Sequence, residues 1–343
     1  MFFRAKFSST GQKFIYAIFG VQYHGDKPTG RQADFISMLG NLINKRAHFD
    51  RIIVPGKDGL NTHIWLSYWW PETYADWWNS TSVATFWKDL PDDAGIWREI
   101  LTVSVGRTQN ACTKELKNGV NGLGDMETFS EKIGYWGCLR DRLPESTPEE
   151  QFSSALAQIP ERNPCSEAIR AGRTIITQLP DNICFLVEGQ DHAQMVDEER
   201  THWFNEFDEL VTGWTHDLGA NLKDNGLLDV RMGYVPEFGK FRTSGPINLD
   251  HNRKVELFYW LDMKKFERIG RVNRGHLKIR RKFMDDYCPV GKMGNGLGKI
   301  CLWEETSVMK GHEIEAEYIG CQEGTGFMAY DKSGIIKSKV TTR

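Results

Sequence analysis

Apolar and polar positions along this chain switch between a period of two and a period of about 3.6, and the switches predict its elements. Phe14 to Tyr23 is aromatic and β-branched and ends in a polar turn, which reads as a buried strand. Gln32 to Lys45 sets Phe35, Leu39, Leu42 and Ile43 at helical spacing. His63 to Trp70 is a second strand. Pro71 and Glu72 open a short helix through Trp77 and Trp78, with Pro where a missing N–H costs nothing. Val83 to Lys88 is another short helical piece, and Trp97 to Val105 a third strand. The order is strand, helix, strand, helix, strand.

A Pro- and Glu-rich stretch, Leu143 to Gln151, with Pro160 and Pro164 beyond it, reads as a connection, after which the order repeats. Asn182 to Glu188 is a strand, and Asp197 to Leu210 has helical periodicity through Trp203, Phe207 and Leu210. Val255 to Leu261 is a strand, Lys264 to Arg271 begins a helix, and Ile300 to Met309 and Glu313 to Ile319 are further strands. The residues after Asp331 are polar and predicted to fray. This gives an N-terminal half over 1–160, a C-terminal half over 161–331 and a polar tail over 332–343. Two successive β-α-β-type halves predict an α+β fold, with antiparallel sheets carrying helices on one face.

Composition narrows the function classes. A chain of 343 residues can bury a large core, and 40% hydrophobic with 26% charged residues is ordinary for a globular protein. The net charge of −3 gives no global field for nucleic acid or an anionic membrane, so neither is expected as a partner. The basic run Arg271 to Lys282 reads as a solvated face. Seven Cys, an odd number with no CxxC pair, argue against a disulfide framework and point to a reducing, cytoplasmic setting. No apolar run is long enough to span a bilayer, and Met1-Phe2-Phe3-Arg4 does not begin a signal-peptide core. Of twelve Trp, seven cluster from Trp65 to Trp97 and read as a large aromatic core or as the wall of an apolar pocket for a planar ligand.

Most motif candidates fail on chemistry. The run Gly291 to Lys299 lacks the first Gly of a phosphate loop and has Ile300 where the hydroxyl should stand, so it reads as a connector. Cys288-Pro289 is a dipeptide seen at some haem thiolates and is common by chance. His192, His202 and His216 make no compact ligand set and read as surface or helix-face residues, and His312 reads as an exposed strand residue. Neither a GxSxG elbow nor a strand-turn-helix GxGxxG is present. His276 remains, on one predicted helix face with Ile279, Arg280 and Phe283.

Several stretches in order are similar to the haem-containing aldoxime dehydratases, the phenylacetaldoxime dehydratase family. These are FGVQY at Phe19, WWNSTSVATFW at Trp77, WREI at Trp97, GYWGCLRDRLPES at Gly134 and DNICFLVEGQD at Asp181. HLKI at His276, LWEETSV at Leu302 and GCQEGTG at Gly320 complete the set. The resemblance implies duplicated ferredoxin-like halves of the dimeric α+β barrel type, a homodimer, and b-type haem that is ferrous in the active form. It implies dehydration of an aldoxime to a nitrile, with His276 as the iron ligand. It also exposes departures: Glu304 stands at the family's distal histidine, Gly233 at its distal serine and Val187 at its pocket arginine. Glu304 would then serve as the general acid, because burial over haem keeps a carboxyl protonated. The competing expectation is a repurposed relative in secondary metabolism that isomerises or cyclises a bulky natural product, with or without haem. A haem carrier without catalysis is a third.

Overall fold

In the computed structural model, which describes residues 2–44, 46–56, 59–164, 166–243 and 245–342, the period-two segments form strands and the longer-period segments helices. The chain runs through β1 (Phe2–Ala5), β2 (Lys13–His24), α1 (Gly30–Ile43), β3 (His48–Val54), β4 (Leu60–Trp69), α2 (Pro71–Trp78), α3 (Thr81–Asp89) and β5 (Ile96–Ser104). β6 (Thr108–Cys112), β7 (Met126–Phe129), the one-turn α4 (Cys138–Asp141) and β8 (Arg173–Gln178) follow. Then come β9 (Ile183–Asp191), α5 (Asp197–Glu206), α6 (Asp208–Ala220), α7 (Leu222–Asn225), β10 (Leu227–Tyr234) and β11 (Arg253–Trp260). α8 (Met263–Val272), α9 (Arg274–Tyr287), β12 (Cys301–Met309), β13 (Ile314–Ile319) and β14 (Lys337–Thr341) complete the chain.

Among the described residues these strands form one sheet in the order β14-β8-β13-β5-β2-β4-β3-β10-β11-β9-β12-β6-β1-β7. Neighbouring strands pair antiparallel. Within it, β5-β2-β4-β3 and β10-β11-β9-β12 each place their first and third strands in chain order at the centre. A single register pair, Tyr234↔Ile53, joins β10 to β3.

The sheet folds back on itself. Tyr16 of β2 packs edge-on to Phe185 of β9 with centroids 5.1 Å apart, and Tyr68 of β4 donates to Glu305 of β12 at 3.2 Å. One core therefore draws on both halves, including Ile18, Leu66, Leu101, Val187, Leu257 and Trp303. The opposite faces carry helices. Trp65, Trp69, Trp77 and Trp87 fill the layer on the β2–β5 side with Leu39 and Ile43 of α1, so this tryptophan cluster is core. Cys184, Leu186, Phe258, Trp260 and Val308 form the layer on the β9–β12 side, with Leu218 of α6 and Ile269 of α8.

The Pro-rich connection is packed, with Leu143, Phe152 and Ile159 buried in these cores. One expectation is corrected here. The tail is not frayed over Lys337–Thr341, because β14 pairs with β8. Its polar side chains suit an edge strand, which offers one face and one unpaired edge to water.

Candidate functional site

α9 begins at Asn273, whose side-chain oxygen accepts the backbone N–H of His276 at 3.0 Å, a cap that fixes the first turn. The imidazole is then oriented from its own neighbourhood. His276 Nδ1 lies 3.0 Å from the carbonyl oxygen of Gly270 in α8. A carbonyl can only accept, so Nδ1 carries the hydrogen and Nε2 keeps its lone pair in the neutral ring. Burial lowers the pKa of His276 from 6.5, which favours that neutral form. Trp214 of α6 and Trp136 flank the ring, with centroids at 5.1 and 6.4 Å. Along its length α9 has no buried residue, although Leu277, Ile279 and Phe283 are apolar.

The helix-facing side of the sheet supplies the other part. Alternation puts Cys184, Leu186 and Glu188 of β9, Val230 and Met232 of β10, and Glu256 and Phe258 of β11 on this side. On β12, Glu304 and Thr306 share this side, whereas Trp303 and Glu305 face the shared core, as the period of two predicts. Arg142, just after α4, holds Glu304 through Nη2–Oε1 at 2.6 Å. The short segment from Trp136 to Arg142 thus touches His276 at one end and Glu304 at the other. Beside it Arg140 pairs with Glu267 of α8 at 2.6 Å. Burial raises the pKa of Glu304, and Arg142 opposes that rise.

The three departures do not come together. Val187 points into the shared core, and a Cβ on Gly233 would meet Ile52 there, at 2.9 Å from Cδ1. Only Glu304 faces the helices. The neighbours of the other two that do so are Glu188 and Met232. Sequence reasoning missed Glu188, Glu256, Arg142 and Trp214. For the two glutamates a signal existed, because in CFLVEGQD and KVELFYW each lies on the strand face opposite the β-branched core residues.

His192 is a further correction. It is fully buried after β9, with Nε2 3.1 Å from Lys254 Nζ, and is not a surface residue. His202 pairs with Asp286 at 2.8 Å and His216 is exposed on α6. His312 is exposed in a turn before β13 rather than on the strand. Cys288 ends α9, with its sulfur 3.7 Å from Met284 Sδ, and the Gly-rich run after it forms a connector folded by turns to β12. Among the described residues no group of three or more His, Cys, Asp or Glu is arranged to hold a bare metal ion. A haem needs only one axial side chain, and the free Nε2 of His276 fits that need.

The architecture is that of an α+β enzyme fold already seen in solved proteins. An aldoxime dehydratase in complex with butyraldoxime superimposes with a TM-score of 0.77 at 22% identity, covering 95% of this chain and 88% of that one. A second aldoxime dehydratase structure gives 0.76 at 22%, covering 95% and 90%. The chain belongs to the haem-containing dehydratase family, whose sequence model matches residues 17–327. It is 25% identical over 337 residues to phenylacetaldoxime dehydratase of Bacillus sp. (strain OxB-1), covering 95% of this chain and 90% of that protein. It is 26% identical over 334 residues to aliphatic aldoxime dehydratase of Rhodococcus erythropolis, covering 92% and 87%.

Proposed function

We propose that this protein is a haem-dependent lyase that removes water from an aldoxime to give a nitrile, with glutamate carboxyl groups, Glu304 among them, taking over the distal side from histidine. The observation that carries the reading is His276. It is a neutral imidazole pinned through Nδ1 to Gly270, with Nε2 free, in a chain of the haem-containing dehydratase family. His276 would hold the iron of a b-type haem, which supplies a Lewis-acidic, ferrous centre that polarises the oxime N–O bond when bound.

The chain's own residues supply the rest. Asn273 and Gly270 fix the angle of the imidazole. Trp214 packs against the ring and shields it from water, which strengthens the polar contacts beside it. Glu304 presents a carboxyl from the sheet, and Arg142 fixes its position. The matching strand orders of the two runs of four support a duplicated ferredoxin-like unit, and a homodimer belongs to the same proposal. A cytoplasmic setting is part of the same reading.

A specific observation favours a second reading. Three glutamates occupy the sheet face, and Val187 and Gly233 are turned into the core. A pocket so rewritten suits another reaction, an isomerisation or cyclisation of a bulky substrate. Incubating haem-loaded, dithionite-reduced protein with alkyl and aryl aldoximes separates the two. Nitrile formation that depends on haem is expected. A loaded, folded protein that yields no nitrile from any of them favours the second reading.

A further inference from the structure

Glu188 sits at the centre of an unusual row. It lies directly opposite Glu256 of β11 on one side and Glu304 of β12 on the other. All three side chains leave the same sheet face, on strands about 4.8 Å apart. Like charges placed directly across a strand pair repel, so three ionised carboxylates in file would destabilise the sheet. The compensation is uneven. Arg142 holds Glu304 at 2.6 Å. Lys254, two residues along the same face of β11, is the positive charge acting on Glu256. Glu188 has no hydrogen bond or ion pair among the described residues, and the charges acting on it are those of Glu256 and Glu304.

Resting on the dehydratase reading above, we propose that Glu188 is the proton donor of the site and that Glu304, kept anionic by Arg142, holds the proton on Glu188. Coulomb's law fixes the assignment: the row sheds repulsion at least cost by protonating the member with no cation beside it. Burial and the two flanking carboxylates push Glu188 up to about 8, above Glu256 at about 7. The charged groups around Glu188 are Glu256 and Lys254 on β11, Glu304 on β12 and Arg142 beside α4, and the Arg140–Glu267 pair acts further along β9, at Cys184.

The transfer is balanced. As the N–O bond of R–CH=N–OH breaks with its electron pair on oxygen, the Glu188 proton joins the leaving hydroxyl and water departs. The Glu188 carboxylate then takes the carbon-bound proton, whose bonding pair becomes the third C–N bond. R–C≡N and water form with no net change in protons or electrons.

Infrared spectroscopy across a pH titration tests this without haem or turnover. In a Glu305→Gln background, which removes the other carboxyl that burial pushes up to about 8, the protein should show a protonated-carboxyl C=O band that titrates near the value for Glu188. Glu188→Gln should lose that band, and Glu304→Gln should keep it but titrate it at lower pH, because the repelling anion is gone. Glu188→Gln replaces a neutral carboxyl by a neutral amide of nearly the same shape and adds no charge to the row, so folding should be retained. In haem-loaded protein the same variant should lose roughly 10²–10⁴-fold in nitrile formation, the usual range for a lost general acid. The proposal is overturned if the band survives in Glu188→Gln and vanishes in Glu304→Gln, or if Glu188→Gln turns over within a few-fold of wild type. If the wild type makes no nitrile, the dehydratase reading fails, and the infrared result alone still places the proton.

Discussion

Replacing Arg231 with Met should destabilise both halves of this protein together. Arg231 of β10 is 7% exposed and grips both carboxylate oxygens of the fully buried Glu99 of β5, at 2.8 and 2.6 Å. Tyr259 of β11 and Tyr318 of β13 each donate to Glu99 at 2.7 Å, and the guanidinium lies 4.4 Å from the Trp97 ring centroid. The cluster therefore bolts the β5 side of the shared core to the β10–β11 side. Methionine fills much of the volume and removes the charge, which strands a carboxylate in apolar surroundings. Breaking one partner of a buried pair costs about 3–5 kcal/mol. Against a typical total of about 5–15 kcal/mol, that is a large share. Urea unfolding followed in parallel by tryptophan fluorescence and far-UV circular dichroism should show one transition moved to lower urea by both probes. Adding Glu99→Gln should recover part of the loss, because removing both charges of a buried pair is far less costly than removing one. A loss under about 1 kcal/mol, or two transitions of which only one moves, would refute the shared-core argument.

Two further outcomes follow from single groups. Glu305 is 1% exposed, and burial pushes it from 4.5 up to about 8 despite the Tyr68 and Val120 donors. The folded protein therefore holds this proton more tightly than the unfolded chain. The contribution of Glu305 to stability should be greatest at the acid end and fall as pH rises from about 4.5 to about 8, by an amount on the order of 3–5 kcal/mol. Glu305→Gln should flatten that fall in urea titrations at stepped pH, and an unchanged slope would remove Glu305 as its source. Asn273→Ala deletes the cap on α9 and should cost about 1 kcal/mol of helix stability. It should speed haem transfer to apomyoglobin several-fold while leaving the ligand in place; an unchanged rate would mean that the cap does not position His276.

The apolar strands were readable in advance: β2, β4, β5, β9, β11 and β12 follow from aromatic and β-branched runs, and β13 from its period-two alternation. β3 and β10 were not. HFDRIIV carries charge within a short strand, and LLDVRMGY interrupts its pattern with Asp229 and the buried Arg231, whose partner Glu99 lies far away in sequence. The polar strand β14 was missed because its stability comes from pairing with β8, which no local pattern encodes. The proposal of His276 as the iron ligand comes from the resemblance, since a lone histidine on a helix face has no signature of its own. The pairing of Glu304 with Arg142 joins residues far apart in the chain and needed the fold. The placement of Val187 and Gly233 in the pocket failed on parity. A one-residue shift in a strand moves a side chain to the other face, and Glu188, not Val187, faces the helices.

The most direct test is an absorption spectrum of purified protein titrated with haem, before and after dithionite, for wild type and His276→Ala. The wild type should take up one haem per chain, with a Soret band that shifts on reduction and again on adding an aldoxime. His276→Ala, folded by circular dichroism, should lose that stoichiometric binding. A variant that keeps a full-intensity, unshifted Soret band, or a folded wild type that refuses haem, would contradict the assignment.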